Sequence, residues 1–204
     1  MSEQFIISIG REYGSGGKYI AKKLAEHYGI EYYDRNILAS IAGDKHVDPE
    51  SYYEFDEINH KSFFSRTVRG MSSSHHENIA QLQFDFLRDK ASKGESFVVV
   101  GRCSEHVLRG YKELISVFVI GDKDAKIEYV MNAEGIDYSA AEDMCHMMDS
   151  NRKHYHNTYC TVKWGDSRAY DLSINSTPLG FDGTYNHLVK YIDARREALK
   201  AKNA

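Results

Sequence analysis

The chain has 204 residues, 42% of them hydrophobic and 27% charged, which excludes global disorder. The 26 Lys and Arg against 30 Asp and Glu leave a formal charge of −4, which argues against nucleic acid as a partner. No stretch approaches the ~18 apolar residues of a membrane span. The length suits one domain, 1–204, able to bury about 70% of the surface its unfolded chain exposes. The start, MSEQFIISIGRE, lacks a signal's basic region and apolar core. The 3 cysteines, Cys103, Cys145 and Cys160, contain no C-x-x-C pair. Neither a disulfide framework nor a structural zinc site is expected from them, and a reducing, cytoplasmic setting fits.

The first apolar run, Phe5 to Ile9, predicts a buried strand. A glycine-rich stretch follows, and then Ile20, Leu24 and Tyr28 recur every fourth residue as a helix face. Ile30 to Tyr33 is a weaker strand. Asp48-Pro49-Glu50 carries a helix-start signature: Asp as cap, Pro in the first position, an acid in the first turn. Ile79, Leu82, Phe86 and Leu87 mark a helix over about 75–93. Phe97 to Val100, Ile115 to Ile120 and Asp171 to Ile174 read as further buried strands. Tyr185, Leu188, Val189 and Ile192 mark a last helix with a basic tail. Continuous β-branched runs suit a parallel sheet covered on both faces. Their alternation with helices predicts right-handed βαβ units and an α/β domain.

The most informative segment is Gly10-Arg11-Glu12-Tyr13-Gly14-Ser15-Gly16-Gly17-Lys18, leaving a strand and entering a helix. Glycines there let backbone N–H groups approach an anion, and the helix N-terminus adds its positive dipole end. Against the phosphate-loop pattern G-x-x-x-x-G-K-[ST], two registers compete. With Lys18 in the lysine slot, Glu12 holds the opening glycine slot and Tyr19 the hydroxyl slot. With Gly14-Ser15-Gly16 as the loop core, the lysine slot falls on Gly17 and Lys18 sits one place late. Both registers point to Lys18 as the stand-in cation, with Ser15 or a water replacing the missing hydroxyl. A ligand-free turn is disfavoured, because 4 glycines in residues 10–17 cost backbone entropy without helping packing.

Further segments fall in a telling order. Tyr28 to Arg35 follows the first helix, and Val100-Gly101-Arg102 ends a strand. Asp149-Ser150-Asn151-Arg152 has the form D-x-x-R, and Tyr170 to Thr177 spans the last strand and its exit loop. With Ile7 to Gly17 they resemble, over about residues 4–195, the cytidylate kinase-like family of P-loop phosphotransferases. The resemblance implies a five-stranded parallel sheet of order 2-3-1-4-5 with flanking helices. It also implies an acceptor-binding insertion at about 44–94, a lid at about 138–168, and ATP with Mg²⁺. It places ATP against Gly10, Arg11, Gly14, Ser15, Gly16, Gly17, Lys18, Tyr19 and Asn175. It places the acceptor against Asp34, Arg35 and Arg102, and catalysis on Lys18, Arg102 and Arg152. No residue set forms a direct metal motif; Ser15 would meet Mg²⁺ through the nucleotide.

Phosphoryl transfer needs positioned phosphates, a metal ion and cations around the equatorial oxygens. Lys18 reads as a phosphate clamp or as a solvated lysine in a first helical turn. Arg102 stands at a strand's C-terminal end, where α/β sheets place ligands, or makes a surface ion pair. Arg152 has the planar fork that binds phosphate oxygens in pairs; Lys153, Lys163 and Arg168 accompany it, and all four also suit a solvated helix face. Asp34 orients an acceptor hydroxyl or a metal-bound water, or caps the next helix. Among the 10 histidines no H-E-x-x-H frame occurs, so His75, His76, His146, His154 and His156 read as solvated or helix-flank residues. Trp164 reads as packing where the lid rejoins the core, and Tyr32, Tyr33, Tyr52 and Tyr53 as core and cleft lining.

These readings converge on transfer of the ATP γ-phosphoryl to a nucleoside monophosphate, cytidylate-like, or a related small phosphorylated acceptor. The rivals are a non-catalytic nucleotide-binding protein and a kinase of a non-nucleotide small molecule. Partners are then small molecules, with no nucleic acid and no membrane; a homo-oligomer is left open.

Overall fold

The computed structural model describes residues 4–34, residue 37 and residues 74–203. Strand β1 (Ile6–Arg11) lies at the centre, and Ile6, Ile7, Ser8 and Ile9 have no exposed surface. A strand enclosed on both faces must be apolar at nearly every position, as this one is. The Ser8 hydroxyl within it is satisfied by a 2.7 Å hydrogen bond to Ser104. Around it stand β2 (Glu31–Tyr33), β3 (Phe97–Val100), β4 (Leu114–Ile120) and β5 (Leu172–Asn175). All pairings are parallel, in the order β2-β3-β1-β4-β5.

The helices are α1 (Gly17–Tyr28), α2 (Ser74–Ser92), α3 (Ser104–Val107), α4 (Lys123–Glu134), α5 (Tyr138–Tyr159) and α6 (Gly180–Asn203). On one face, Ile7, Ile9, Val98 and Val100 pack with Ile20 and Leu24 of α1 and Leu188 and Ile192 of α6. On the other, Ile6, Phe97 and Val99 pack with Phe84 and Leu87 of α2. The period-2 alternation of the strands thus fills two separate layers. Among the described helices none is long and apolar enough to cross a membrane.

The strands are those expected from the apolar runs, their order is the one the resemblance implies, and α2 agrees with the 79–87 periodicity. Asp48-Pro49-Glu50, Tyr52, Tyr53, Arg35 and most of the 44–94 insertion lie outside the described residues, as do the side chains of His75 and His76. The stretch 138–168 comprises α5 and a return segment that enters a 3-10 turn at Ser167–Ala169. Asp137 caps α5 by accepting from the Ala140 N–H at 2.9 Å. By contrast α1 has no capping side chain: its N-cap is Gly16, at φ 74°. Its first N–H groups therefore face the glycine loop without a side-chain acceptor.

Candidate active site

Residues Glu12–Gly16 join β1 to α1, and hydrogen bonds brace the loop from several sides. The buried Ser15 hydroxyl donates to the Glu12 carbonyl at 2.8 Å. The Ser15 carbonyl accepts from the buried Ser176 hydroxyl at 2.8 Å, tying the loop to the end of β5. The Asp149 carboxylate accepts from the Tyr13 N–H at 2.6 Å, tying it to α5. Gly14 and Gly16 sit at φ 76° and 74°, where a side chain is strained. A Cβ on Gly14 would also lie 2.8 Å from the Lys126 carbonyl, and one on Gly16 would enter the Phe181 ring.

Lys126 organises the outer wall, although nothing in the sequence marks it, since it is one lysine in an unremarkable helix. Its ammonium lies 2.9 Å from Glu12 and 3.5 Å from Asp149, with 13% of its side chain exposed. Asp149 in turn lies 3.7 Å from Arg152. Burial raises the Asp149 pKa, against the pull of the Tyr13 N–H, Lys126 and Arg152. Replacing Lys126 with Met keeps the stem but strips the cation from two half-buried carboxylates. The expected cost is about 1–3 kcal/mol, read as a lower midpoint in urea or thermal unfolding. An unchanged midpoint would mean the network is energetically idle.

The cation at the loop is not placed as the motif suggests. Lys18 borders the loop cleft, but its side chain is 71% exposed and its ammonium lies 2.9 Å from Asp34. Tyr19 turns its hydroxyl away to donate to Asp182 of α6 at 2.8 Å. Arg11 instead covers Gly17: a Cβ there would lie 2.5 Å from the Arg11 Cβ and 3.0 Å from its Cγ. The Arg11 guanidinium continues to Gly101, where it occupies the space a side chain would need. Burial and the fields of Arg152 and Arg102 pull the Arg11 pKa well below the usual arginine range, while Tyr32 and Asp34 oppose them. A buried cation crowded by two others gains from an anion beside it.

Two cavities meet at that point. A cleft of about 520 Å³ runs along Gly14, Gly16, Gly17 and Lys18 to Asp34. A smaller cavity of about 100 Å³ is lined by Gly10, Gly101, Arg102, Asn151, Tyr155 and Trp164. Arg11, Met148 and Arg152 border both. Arg152 stacks its guanidinium 5.2 Å from the Tyr13 ring centre. Gly101, Arg102 and Cys103 form a left-handed run at φ 71°, 60° and 53°. For Arg102 and Cys103 this conformation costs on the order of 1–3 kcal/mol each, strain of the kind found at ligand sites.

The structure therefore brings Arg11, Arg102 and Arg152 together, with Asp34 near Arg11 and paired with Lys18 on the same cleft. Asn175 lies at the end of β5, donating to Asp122 at 2.7 Å and accepting from the Thr177 N–H at 3.0 Å. Lys153 and Lys163 are exposed and border neither cavity; Arg168 is exposed and engaged with Asp166 at 2.6 Å. Trp164 packs edge-on against Phe118 of β4, with ring centres 5.3 Å apart. His146 and His154 are exposed as expected, but His156 is not. It is buried, with Nε2 2.6 Å from Oε1 of the buried Glu105. A carboxylate reaching it from α3 makes burial affordable, a partner that spacing along α5 does not reveal.

The comparisons agree with this fold. Over residues 6–178 the chain matches the model of the cytidylate kinase-like family. It is 24% identical over 193 residues to a cytidylate kinase of Pyrococcus horikoshii, covering 94% of this chain and 90% of that one. A crystal structure of an uncharacterized protein from Eubacterium ventriosum is 41% identical, with a TM-score of 0.74, covering 93% of this chain and 99% of that one. A gluconokinase structure from Sinorhizobium meliloti, 12% identical with a TM-score of 0.55, shares the fold over 98% of both chains. The sheet order and the loop between β1 and α1 are those of a P-loop kinase fold, and the chain belongs to the cytidylate kinase-like family.

Proposed function

We propose that the chain is an ATP-dependent phosphotransferase acting on a nucleoside monophosphate or a related small phosphorylated acceptor. The observation that carries this reading is the meeting of Arg11, Arg102 and Arg152 where two cavities share a wall. A molecule that only held a nucleotide would need phosphate donors along one cleft. Three arginines between two compartments suit a phosphoryl group passing from one to the other.

In this reading the ATP phosphates lie along Gly14 to Gly17, against the uncapped start of α1. The acceptor phosphate lies in the inner cavity beside Arg102. Arg11 and Arg152 face the transferring group from both sides and neutralise charge on its equatorial oxygens. Asp34, at the end of β2 and held by Lys18 and the Tyr32 hydroxyl, borders the cleft as the group that orients an acceptor hydroxyl. The Ser15 hydroxyl is spent on the loop and Tyr19 points elsewhere, so the residues fit a Mg²⁺ ion carried by phosphate oxygens and water. Such an ion would supply further charge neutralisation.

The test is an ATP-consumption screen over nucleoside monophosphates and other small phosphorylated acceptors, with and without Mg²⁺. Turnover with a monophosphate acceptor is expected; ATP binding without turnover on any acceptor would favour the non-catalytic reading, which Gly17 in the lysine slot motivates. Once the acceptor is known, Arg102→Ala should raise its KM about tenfold or more while changing the KM for ATP little, since one charge-assisted contact is worth ~1.5–3 kcal/mol. Equal effects on both substrates would place Arg102 outside the acceptor compartment.

A further inference from the structure

At the wall of the inner cavity, whose lining includes Glu105 and His156, three groups of mixed chemistry converge. One carboxylate oxygen of Glu105, one ring nitrogen of His156 and the sulfur of Cys160 lie within 4.8 Å of one another. Glu105 and His156 are 6% and 5% exposed, and Cys160 is partly covered. We propose that these three residues form a binding site for a zinc-class divalent cation, with a fourth position for water or the Cys103 thiol.

The donor set selects the ion. A thiolate, an imidazole and a carboxylate together suit zinc, which accepts sulfur, nitrogen and oxygen ligands in a tetrahedron. Magnesium and calcium require a shell made wholly of oxygen donors, of which this group provides only the Glu105 carboxylate. His156 and Cys160 are four residues apart at the end of α5, where the Cys160 N–H still donates to the His156 carbonyl at 2.8 Å. That turn sets both side chains on one face, and α3 supplies Glu105 from opposite. The remaining features of a metal site are also here. The other ring nitrogen, Nδ1, lies 3.4 Å from the Asn157 side-chain oxygen, which also accepts from the Trp164 N–H at 2.8 Å. Outer partners of this kind fix the ring a metal uses. A cavity of about 10 Å³, lined by Glu105, His156 and Cys160 with His106, Arg109 and Val162, offers room for about one water.

Without metal the group holds itself together by protons. Cys103 and His156 both draw the Cys160 thiol pKa down, against the effect of burial. Burial disfavours the charged His156 ring, but Cys160 and Glu105 outweigh it and push its pKa up to about 10. Loading is then an exchange. The cation displaces the proton between Nε2 and the carboxylate, and any proton left on the Cys160 sulfur, into solvent, with no change of oxidation state. It would join the end of α5, which carries Arg152 one turn earlier, to α3, which begins two residues after Arg102.

The test needs no nucleotide, so its outcome is separate from that of the phosphotransferase reading. The reduced, chelator-stripped chain is titrated with Zn²⁺ and, separately, with Co²⁺. One ion per chain, a Co²⁺ thiolate charge-transfer band, and a Zn²⁺-dependent rise in Tm are expected. Cys160→Ser and His156→Gln should each weaken Zn²⁺ binding beyond the ~10–100-fold cost of losing an outer partner. The Co²⁺ spectrum of the unmutated chain decides the matter even if a variant fails to fold. No Zn²⁺ uptake, no thiolate band, or uptake unaffected by both substitutions would overturn the proposal. So would a reduced chain that ignores Zn²⁺ yet forms a Cys103–Cys160 disulfide in air.

Discussion

Putting a lysine back at Gly17, in the register centred on Gly14-Ser15-Gly16, is expected to weaken ATP binding. By the motif alone, Gly17→Lys should repair the loop. In the folded chain a Cβ at that position lies 2.5 Å from the Arg11 Cβ, closer than unbonded carbons come, and the contact is with a stem enclosed by Gly101. Relieving it means moving Arg11 out of its channel or lifting the start of α1. Overpacking of this kind costs ~1–3 kcal/mol, before the loss of Arg11 from the shared wall. The expected result is ATP affinity reduced by ~10-fold or more by calorimetry, with Gly17→Ala showing most of the loss. The double change Arg11→Gly with Gly17→Lys removes the clash and should regain affinity over Gly17→Lys alone. A Gly17→Lys chain that binds ATP as well as the unmutated one would show that Arg11 is not a fixed part of the loop.

The second large effect is expected on removing the Arg11 charge while keeping its stem. Arg11→Met leaves methylenes to cover Gly17 but places no cation between the cavities. Cations that act on the transferring phosphoryl contribute ~10³-fold or more to turnover, and the expected loss in kcat is of that order. Folding should be little affected, since burial and two neighbouring arginines already disfavour the Arg11 charge. Removing it is expected to be neutral or stabilising in the absence of ligand, because like-charge repulsion is relieved. A large fall in Tm with unchanged kcat would make Arg11 a packing residue.

The sheet was legible because buried parallel strands must be continuously apolar. Ile6 to Ile9, Phe97 to Val100 and Leu114 to Val119 advertise that burial in their own composition. β2 was weaker because it is a 3-residue strand at the sheet edge with Glu31 exposed. The loop was legible from its glycines, whose positive φ values at 14 and 16 only glycine adopts without strain. The cation was harder. In the register with Gly17 in the lysine slot, the opening glycine slot falls on Arg11, so a glycine and a cation stand in exchanged places. The exchange is visible in the sequence only once one knows that the Arg11 stem crosses Gly17, a contact between residues six apart on either side of a turn. Lys126, Glu105 and His156 were missed for a related reason. Each is an ordinary residue on its own element, and its meaning comes from a partner on another: Glu12 and Asp149 for Lys126, and each other for Glu105 and His156.

Arg11 and Arg152, which border both cavities, and Arg102, which lines the inner one, are asked to do one thing, to stabilise a phosphoryl group in transit. Arg152 tests this most directly, because it approaches from α5 rather than from the glycine loop and borders both cavities. The measurement is kcat and ATP Kd for the unmutated chain and for Arg152→Ala, with Mg²⁺ and the acceptor identified by the screen. The expected result is a fall in kcat of ~10³-fold with ATP Kd changed less than ~10-fold, because the interaction is made to charge that develops during transfer. Loss of ATP affinity matching the loss of kcat would make Arg152 a ground-state binding residue, and an unchanged kcat would remove the arginine cluster from the chemistry altogether.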